Sequence, residues 1–286
     1  MALSLARSGV GTFRLFDFDS LSPANIARHQ GDLRDLGRNK AAVTRDRIHC
    51  VNPVLNVDVN VRDVVEDPEG LEALEEAAAR SDLLICATDT DDSRMLVNSL
   101  AVTFGVKSLQ VGLHERAASG IVHLYDPGKP EACFACHRRN LLSESAKRSE
   151  GIAYSEAGSV RDLTVQPGLS AQIDLVAQAG TLRAIDALME NDNPGLPSLS
   201  ILYVDKRQDG QNDAAAESSE AVPSSFSREL MLRIAHNFLE PAGDCPVCGG
   251  YGAQYKTYEN PDETNQPEDD EYEDDDQNEG CERRTI

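Results

Sequence analysis

Residues 82–104 read DLLICATDTDDSRMLVNSLAVTF. The run over Asp82–Thr88 is apolar from Leu83 to Ala87, as expected of a strand covered on both faces in a parallel sheet. The charged DTDD that follows leads into a helix predicted over Ser93–Phe104, and strands are expected at Lys107–Gly112 and Gly120–Tyr125. Toward the N-terminus, Leu71–Ala79 reads as a helix rich in alanine and glutamate. Val54–Val61 alternates like a strand, with Leu55, Val57 and Val59 on one face. Lys40–Cys50 reads as a helix stopped by Asn52-Pro53, because the residue before proline is pushed out of helical geometry. Phe13–Asp17 is a short strand ending in acid, preceded by the end of a helix over Met1–Ser8 that Gly9 and Gly11 halt. Toward the C-terminus the pattern predicts a long helix over Leu169–Met189, a strand at Leu199–Asp205, a flexible loop at residues 208–227 with no apolar period, and a strand or helix at Leu230–Leu239. Strands alternating with helices in this way imply an α/β fold, a doubly wound, mostly parallel, Rossmann-like sheet.

The composition limits what such a fold does. The 286 residues carry 49 acidic and 27 basic side chains, a formal net charge of −22. That surplus argues against nucleic acid as a partner, since phosphate contacts need clustered Lys and Arg, and against an anionic membrane surface. Residues Tyr255–Ile286 alone hold 13 acidic and 3 basic residues, so they read as a disordered acidic tail behind a body at net −12. No apolar run approaches the roughly 20 residues a bilayer span needs. Arg7 interrupts the stretch where a signal peptide would be apolar, so a cytoplasmic location is expected.

The chemistry concentrates in Leu15–Lys40, LFDFDSLSPANIARHQGDLRDLGRNK. Ligands of an open parallel sheet sit beyond the carboxyl ends of its strands. Asp17 and Asp19 fall there, followed by Asn25, Arg28 and Lys40, and Asp89 ends the core strand at residues 82–88. Carboxylates with an Arg and a Lys suit Mg²⁺ and a polyphosphate, and they equally suit a set of surface ion pairs on loops.

Three strings carry a resemblance. DFDSLSPANIARHQ, then GRNK, then ATDTDDSRMLVN resemble the ThiF/MoeB superfamily of adenylyltransferases, which includes ubiquitin-activating enzymes. The resemblance covers the body from Met1 to about Gly249 and implies an adenylyltransferase domain over residues 1–254, with 255–286 as tail. It implies that Asp17 binds the ATP ribose, that Asp19 and Asp89 hold Mg²⁺, and that Asn25, Arg28 and Lys40 contact the phosphates. Arg28, Lys40 and Asp89 would be the catalytic set. The implied activity is ATP-dependent adenylation of the C-terminal carboxylate of a ubiquitin-like or sulfur-carrier protein, with release of pyrophosphate. Implied partners are that carrier, a conjugating enzyme or sulfurtransferase downstream, and a second copy in a homodimer.

The sequence departs from the family pattern in two places. The family's fold opens with a strand and a Gly-x-Gly-x-x-Gly loop, whereas these residues begin in the helix that follows, at ALSLARSGVG. That loop brings backbone N–H groups close to phosphate. The expectation is therefore an N-terminally incomplete nucleotide cradle, with a non-catalytic or two-chain relative that docks a ubiquitin-like protein without ATP as the alternative function. Residues 148–168, RSEGIAYSEAGSVRDLTVQPG, contain no cysteine where many ubiquitin-activating relatives carry a nucleophile. Adenylation without a thioester at that place is expected.

Cys133-Phe-Ala-Cys136 and Cys245-Pro-Val-Cys248 are knuckle-like turns, and four thiolates suit a closed tetrahedral zinc site. The 108 residues between the pairs exceed an ordinary ribbon spacing, which leaves redox or unpaired thiols open on spacing alone. The ThiF/MoeB resemblance places both pairs around one structural zinc that staples the C-terminal part. Cys50 and Cys86 are expected to be buried packing residues, and His29 to stand behind the phosphate-facing groups or toward solvent.

Overall fold

The computed structural model describes residues 1–113, 117, 119–138, 169–189, 198–203, 233–237 and 239–249. Among the described residues the chain divides into two compact units, one holding Ala2–Asp63 and the other Met1 with residues 64–249.

The first unit is a strand–helix–strand crossover. Helix α1 (Ala2–Arg7) precedes β1 (Thr12–Phe16), and two 3-10 turns at Pro23–Asn25 and Leu33–Asp35 lead to α2 (Lys40–Val51) and β2 (Asn56–Asn60). β1 and β2 pair in parallel, Thr12 opposite Asn56 and Phe16 opposite Asn60. A parallel pair needs a long crossover, and α2 supplies it by packing against both strands and α1. Along β2 the residues predicted to face inward, Val57 and Val59, are partly buried while Asn56 and Asp58 are exposed. Val54 and Val61 lie outside the strand and are exposed. Val54 N–H instead donates to Asn52 Oδ1 at 3.2 Å, so the turn after α2 takes the residues expected to open the strand. Cys50 is exposed rather than buried, on the solvent side of the last turn of α2.

The second unit is built on a five-stranded sheet in the order β3 (Leu83–Cys86), β4 (Lys107–Leu113), β5 (Ser119–Tyr125), β6 (Leu199–Tyr203), β7 (Arg233–Asn237). Helices α3 (Pro68–Ala79), α4 (Asp91–Phe104) and α5 (Ser170–Leu188) accompany it. Asp67 caps α3, accepting from Glu69 N–H at 3.0 Å, and Pro68 occupies the first turn where its missing N–H costs nothing. α4 ends at Gly105, whose φ of +64° is the left-handed conformation a side chain would resist.

Side chains alternate along β4, so the two faces receive different helices. Gln110 and Gly112 face α4: Gln110 Nε2 donates to Arg94 O at 3.3 Å. Val111 faces α5, against Gly180, and Gly120 of β5 lies against Val176. Both faces are thus covered at β4 and β5, whereas on β3, whose apolar run is expected to be covered on both faces, Ile85 is 36% exposed.

The expected mostly parallel sheet holds for β1–β2 and β3–β4, while β4–β5, β5–β6 and β6–β7 are antiparallel. The cause at β4–β5 is connection length. Only residues 114–118 separate the strands, too few for a crossover and enough for a hairpin. The stretch at Leu230–Leu239, left between strand and helix by its pattern, contains β7. The loop expected at 208–227, the cysteine-free segment 148–168 and the acidic tail 255–286 lie outside the described residues.

Candidate functional site

The end of β1 is tied to the start of α2 by one residue. Asn39 caps α2, its Oδ1 accepting from Ala42 N–H at 3.0 Å, and its Nδ2 donates to Asp17 O at 2.7 Å and Asp19 O at 3.1 Å. Asp17 closes its own turn, Oδ1 accepting from Asp19 N–H at 2.9 Å. Lys40, the first residue of α2, donates its backbone N–H to Asp19 O and its Nζ to Asp19 Oδ2 at 2.6 Å. The expected residues Asp17, Asp19 and Lys40 are therefore gathered within one short turn, with the positive end of a helix dipole facing it. Asn25 Oδ1 accepts from both the N–H and the hydroxyl of Ser22 at 2.9 Å. With its oxygen so engaged, Asn25 has only amide N–H groups to offer an anion. Arg28 follows in the same loop and is exposed. His29 Nδ1 accepts from Gly31 N–H at 2.9 Å, and burial, then the charge of Lys40, holds its pKa below the usual value. The imidazole is a neutral turn-former beside the lysine.

Behind this turn lies an ion-pair network that the spacing of charges in the sequence did not single out. The buried carboxylate of Asp35 accepts from Asp32 N–H and Arg38 Nη1, each at 2.9 Å, and from Arg47. Arg38 also pairs with Asp46, and Arg47 with Asp32. Burial pushes the Asp35 carboxyl up, and the Asp32 N–H with the two guanidiniums outweighs it, so the group stays below the usual carboxylate range. The network fixes the loop that carries Arg28 onto α2.

Asp89 belongs to the second unit, exposed in the turn between β3 and α4. A line of hydroxyls pins that turn. Thr88 Oγ1 lies 2.5 Å from Ser93 Oγ, Thr90 Oγ1 lies 2.6 Å from it, and Ser93 Oγ donates to Thr90 O at 3.0 Å. Cys86 is buried beneath, as expected, with Sγ 3.3 Å from Thr88 Oγ1.

The four cysteines come together although 112 positions separate Cys133 from Cys245. Cys133 Sγ lies 3.9 Å from Cys136 Sγ and 3.8 Å from Cys245 Sγ, Cys136 Sγ lies 3.3 Å from Cys248 Sγ, and all four sulfurs fall within 4.8 Å of one another. A tetrahedron with Zn–S bonds of about 2.3 Å has S···S edges of roughly 3.8 Å. The spacing fits an ion and is too long for disulfides. These residues could hold a metal ion such as zinc. Asn98, wholly buried in α4, supports the cluster: its Oδ1 accepts from Phe134 N–H at 2.7 Å and its Nδ2 points at Cys133 Sγ at 3.7 Å. Ala242 N–H donates to Cys136 Sγ at 3.4 Å. Burial pushes the Cys133 thiol up to about 11, whereas at Cys245 burial is outweighed by the backbone N–H groups of Cys248 and Val247, which bring the thiol down to about 7. A cation would offset the charge of thiolates gathered here. His137, beside Cys136, stacks on the buried His123 at 5.7 Å.

The ThiF family model matches residues 1–210. The chain belongs to the ThiF family. This ThiF chain is 30% identical over 142 residues to ubiquitin-like modifier-activating enzyme 5 of Caenorhabditis briggsae, covering 48% of the chain and 33% of that protein. Against the same-named enzyme of Gallus gallus it is 31% identical over 140 residues, covering 46% of the chain and 35% of the relative. The chain thus spans about a third of the length of these two relatives. Among solved structures, Escherichia coli MccB with ATP superposes at a TM-score of 0.59 and 17% identity over 87% of the ThiF chain and 62% of MccB. PaaA superposes at 0.53 and 22% identity, covering 72% of the chain and 65% of PaaA. At these identities the likeness is one of fold. Among the described residues, no helix is long and apolar enough to cross a membrane.

Proposed function

We propose that residues 1–254 act in ATP-dependent adenylation of the C-terminal carboxylate of a ubiquitin-like or sulfur-carrier protein. The observation that carries this reading is the turn at the end of β1, where Asn39 holds Asp17 and Asp19 and Lys40 reaches Asp19 at 2.6 Å. A lysine paired with a carboxylate at a helix start suits a Mg-nucleotide, since the carboxylate can turn to the metal and the ammonium to phosphate. Family membership and the similarity to enzymes that activate ubiquitin-like modifiers support the same chemistry.

In the reaction, a carrier carboxylate oxygen attacks the α-phosphorus of ATP, the bond from that phosphorus to the bridging oxygen breaks, and pyrophosphate departs with the electron pair. The carboxylate is ionised at pH 7, so no general base is needed. The barrier is anion meeting anion, and preorganised cations lower it. Arg28 and Lys40 supply positive charge to the phosphates, Asn25 adds amide N–H groups, and Asp17 accepts from the ribose. Asp19 and Asp89 are each proposed as a carboxylate ligand for Mg²⁺, which would neutralise phosphate charge. The four cysteines hold zinc as a structural clamp, apart from the reacting atoms. A second copy of the chain, and an enzyme that accepts the activated carrier, complete the partners of this reading.

The test is ATP–pyrophosphate exchange with a panel of ubiquitin-like and sulfur-carrier proteins. Exchange should fall at least about hundredfold in Asp89→Ala and in Arg28→Ala. Exchange that survives both substitutions removes these residues from the site.

A further inference from the structure

Arg94 sits in the first turn of α4 and is 8% exposed. A guanidinium keeps its charge even when buried, so its surroundings must answer for it. Among the described residues no carboxylate is paired with it. Its partners are backbone: Nη2 donates to Thr88 O and, at 3.0 Å, to Val111 O, while the group lies 6.0 Å from the centre of the Phe134 ring. Thr88 follows β3 and Val111 lies near the end of β4, so one side chain bridges the carboxyl ends of two neighbouring parallel strands. Room for it comes from Gly112, where a Cβ would stand 2.9 Å from Nη2 and 3.2 Å from Nη1.

We propose that Arg94 is a positioning residue for Asp89, fixing the peptide that carries it and so setting how tightly the site holds Mg²⁺. This rests on the reading of Asp89 as a metal ligand given above. The carbonyl of Thr88 and the N–H of Asp89 belong to one planar peptide, so a donor on Thr88 O fixes the plane from which the Asp89 side chain departs. Ser93 holds the same turn from its other side through the Thr88 and Thr90 hydroxyls. The outcome is an exposed carboxylate on an immobilised backbone, a ligand arm that needs little reorganisation on meeting a cation. Both bonds leave one nitrogen, Nη2, whose two N–H groups are held at a fixed angle by the planar guanidinium. A lysine ammonium sits on a shorter stem and rotates freely, so it does not hold that angle.

Arg94→Lys keeps the charge and loses the bridge; Gly112→Ala keeps the arginine and displaces its guanidinium. In both full-length variants, the Mg²⁺ concentration that half-saturates ATP–pyrophosphate exchange should rise about tenfold, with the KM for ATP at saturating Mg²⁺ within about twofold of wild type. Amide hydrogen exchange over residues 87–92 should quicken about tenfold while that over 119–125 holds. A lower kcat with unaltered Mg²⁺ dependence would mean a merely structural arginine and overturn the proposal, as would wild-type behaviour in both variants. If the wild-type protein shows no exchange with any carrier, the functional reading fails separately. Hydrogen exchange then decides for Arg94, and undisturbed protection over 87–92 overturns its positioning role.

Discussion

The turn at the end of β1 and the four-cysteine cluster both gather charged or ionisable groups, in opposite settings. Asp19 and Arg28 are exposed, and Lys40 leans on a single carboxylate that it can exchange for another anion. Three of the four cysteines are buried, with Asn98 and backbone N–H groups aimed at the sulfurs. Exposed pairs contribute little to stability because water and salt compete with them. Buried thiolates contribute a great deal, provided an ion joins them. On the proposed reading, the difference sets a turn whose charged groups are open to a ligand apart from a cluster whose groups are enclosed.

The strongest way to break that contrast is at the cluster. Cys133→Ser should remove the metal and destabilise the chain by about 4 kcal/mol or more. Elemental analysis and thermal unfolding check it, and a variant that keeps one zinc equivalent and its midpoint would refute the clamp. Next comes Asp35→Ala, which strips Arg47 and Arg38 of their buried partner and should cost about 2 kcal/mol, read by denaturant unfolding. The pH dependence follows from the depressed Asp35 pKa. Its contribution is fully present above roughly pH 4, where the unfolded carboxyl is ionised, and is lost as pH falls through the lower folded value. Asp35→Asn should flatten that acid limb, and an unchanged acid limb would count against the network.

Asn39→Ala removes a helix cap and two donors to the β1 turn. A loss of about 1 kcal/mol is expected from the cap, together with faster amide exchange at residues 17–19. The smallest effect belongs to Arg34→Ala: its pair with Asp32 is 2.7 Å long yet 77% exposed on the arginine side, and the unfolding midpoint should stay where it is. A clear drop there would blur the line between the two regions.

Much of the fold was legible in the sequence, because apolar runs and helix stops are local signals. β3, α4, α2 and α5 fall within a few residues of where their patterns put them. The antiparallel half was not read, since a strand's own residues do not encode its partner's direction. The short link at 114–118 carried that information. In the site, the Asp-x-Asp at a strand end marked residues that gather, while the two C-x-x-C pairs are joined by the ThiF/MoeB resemblance and not by their spacing. Asn39 was passed over although an Asn directly before a predicted helix is a capping signal. Arg94 left no local trace: a charged residue in an amphipathic helix reads as surface, and only the absent Cβ of Gly112 makes space for it.

The cysteine cluster also has a polymer-physics consequence. By joining positions 112 apart, an ion there would close the intervening chain into a ring anchored at one point. The entropy of closing a flexible ring grows only with the logarithm of its length, about 0.6 kcal/mol for each doubling. The connections between its packed elements can therefore lengthen or shorten at little thermodynamic cost. Variation among related chains would be expected to accumulate inside that ring, while the four sulfur positions stay fixed.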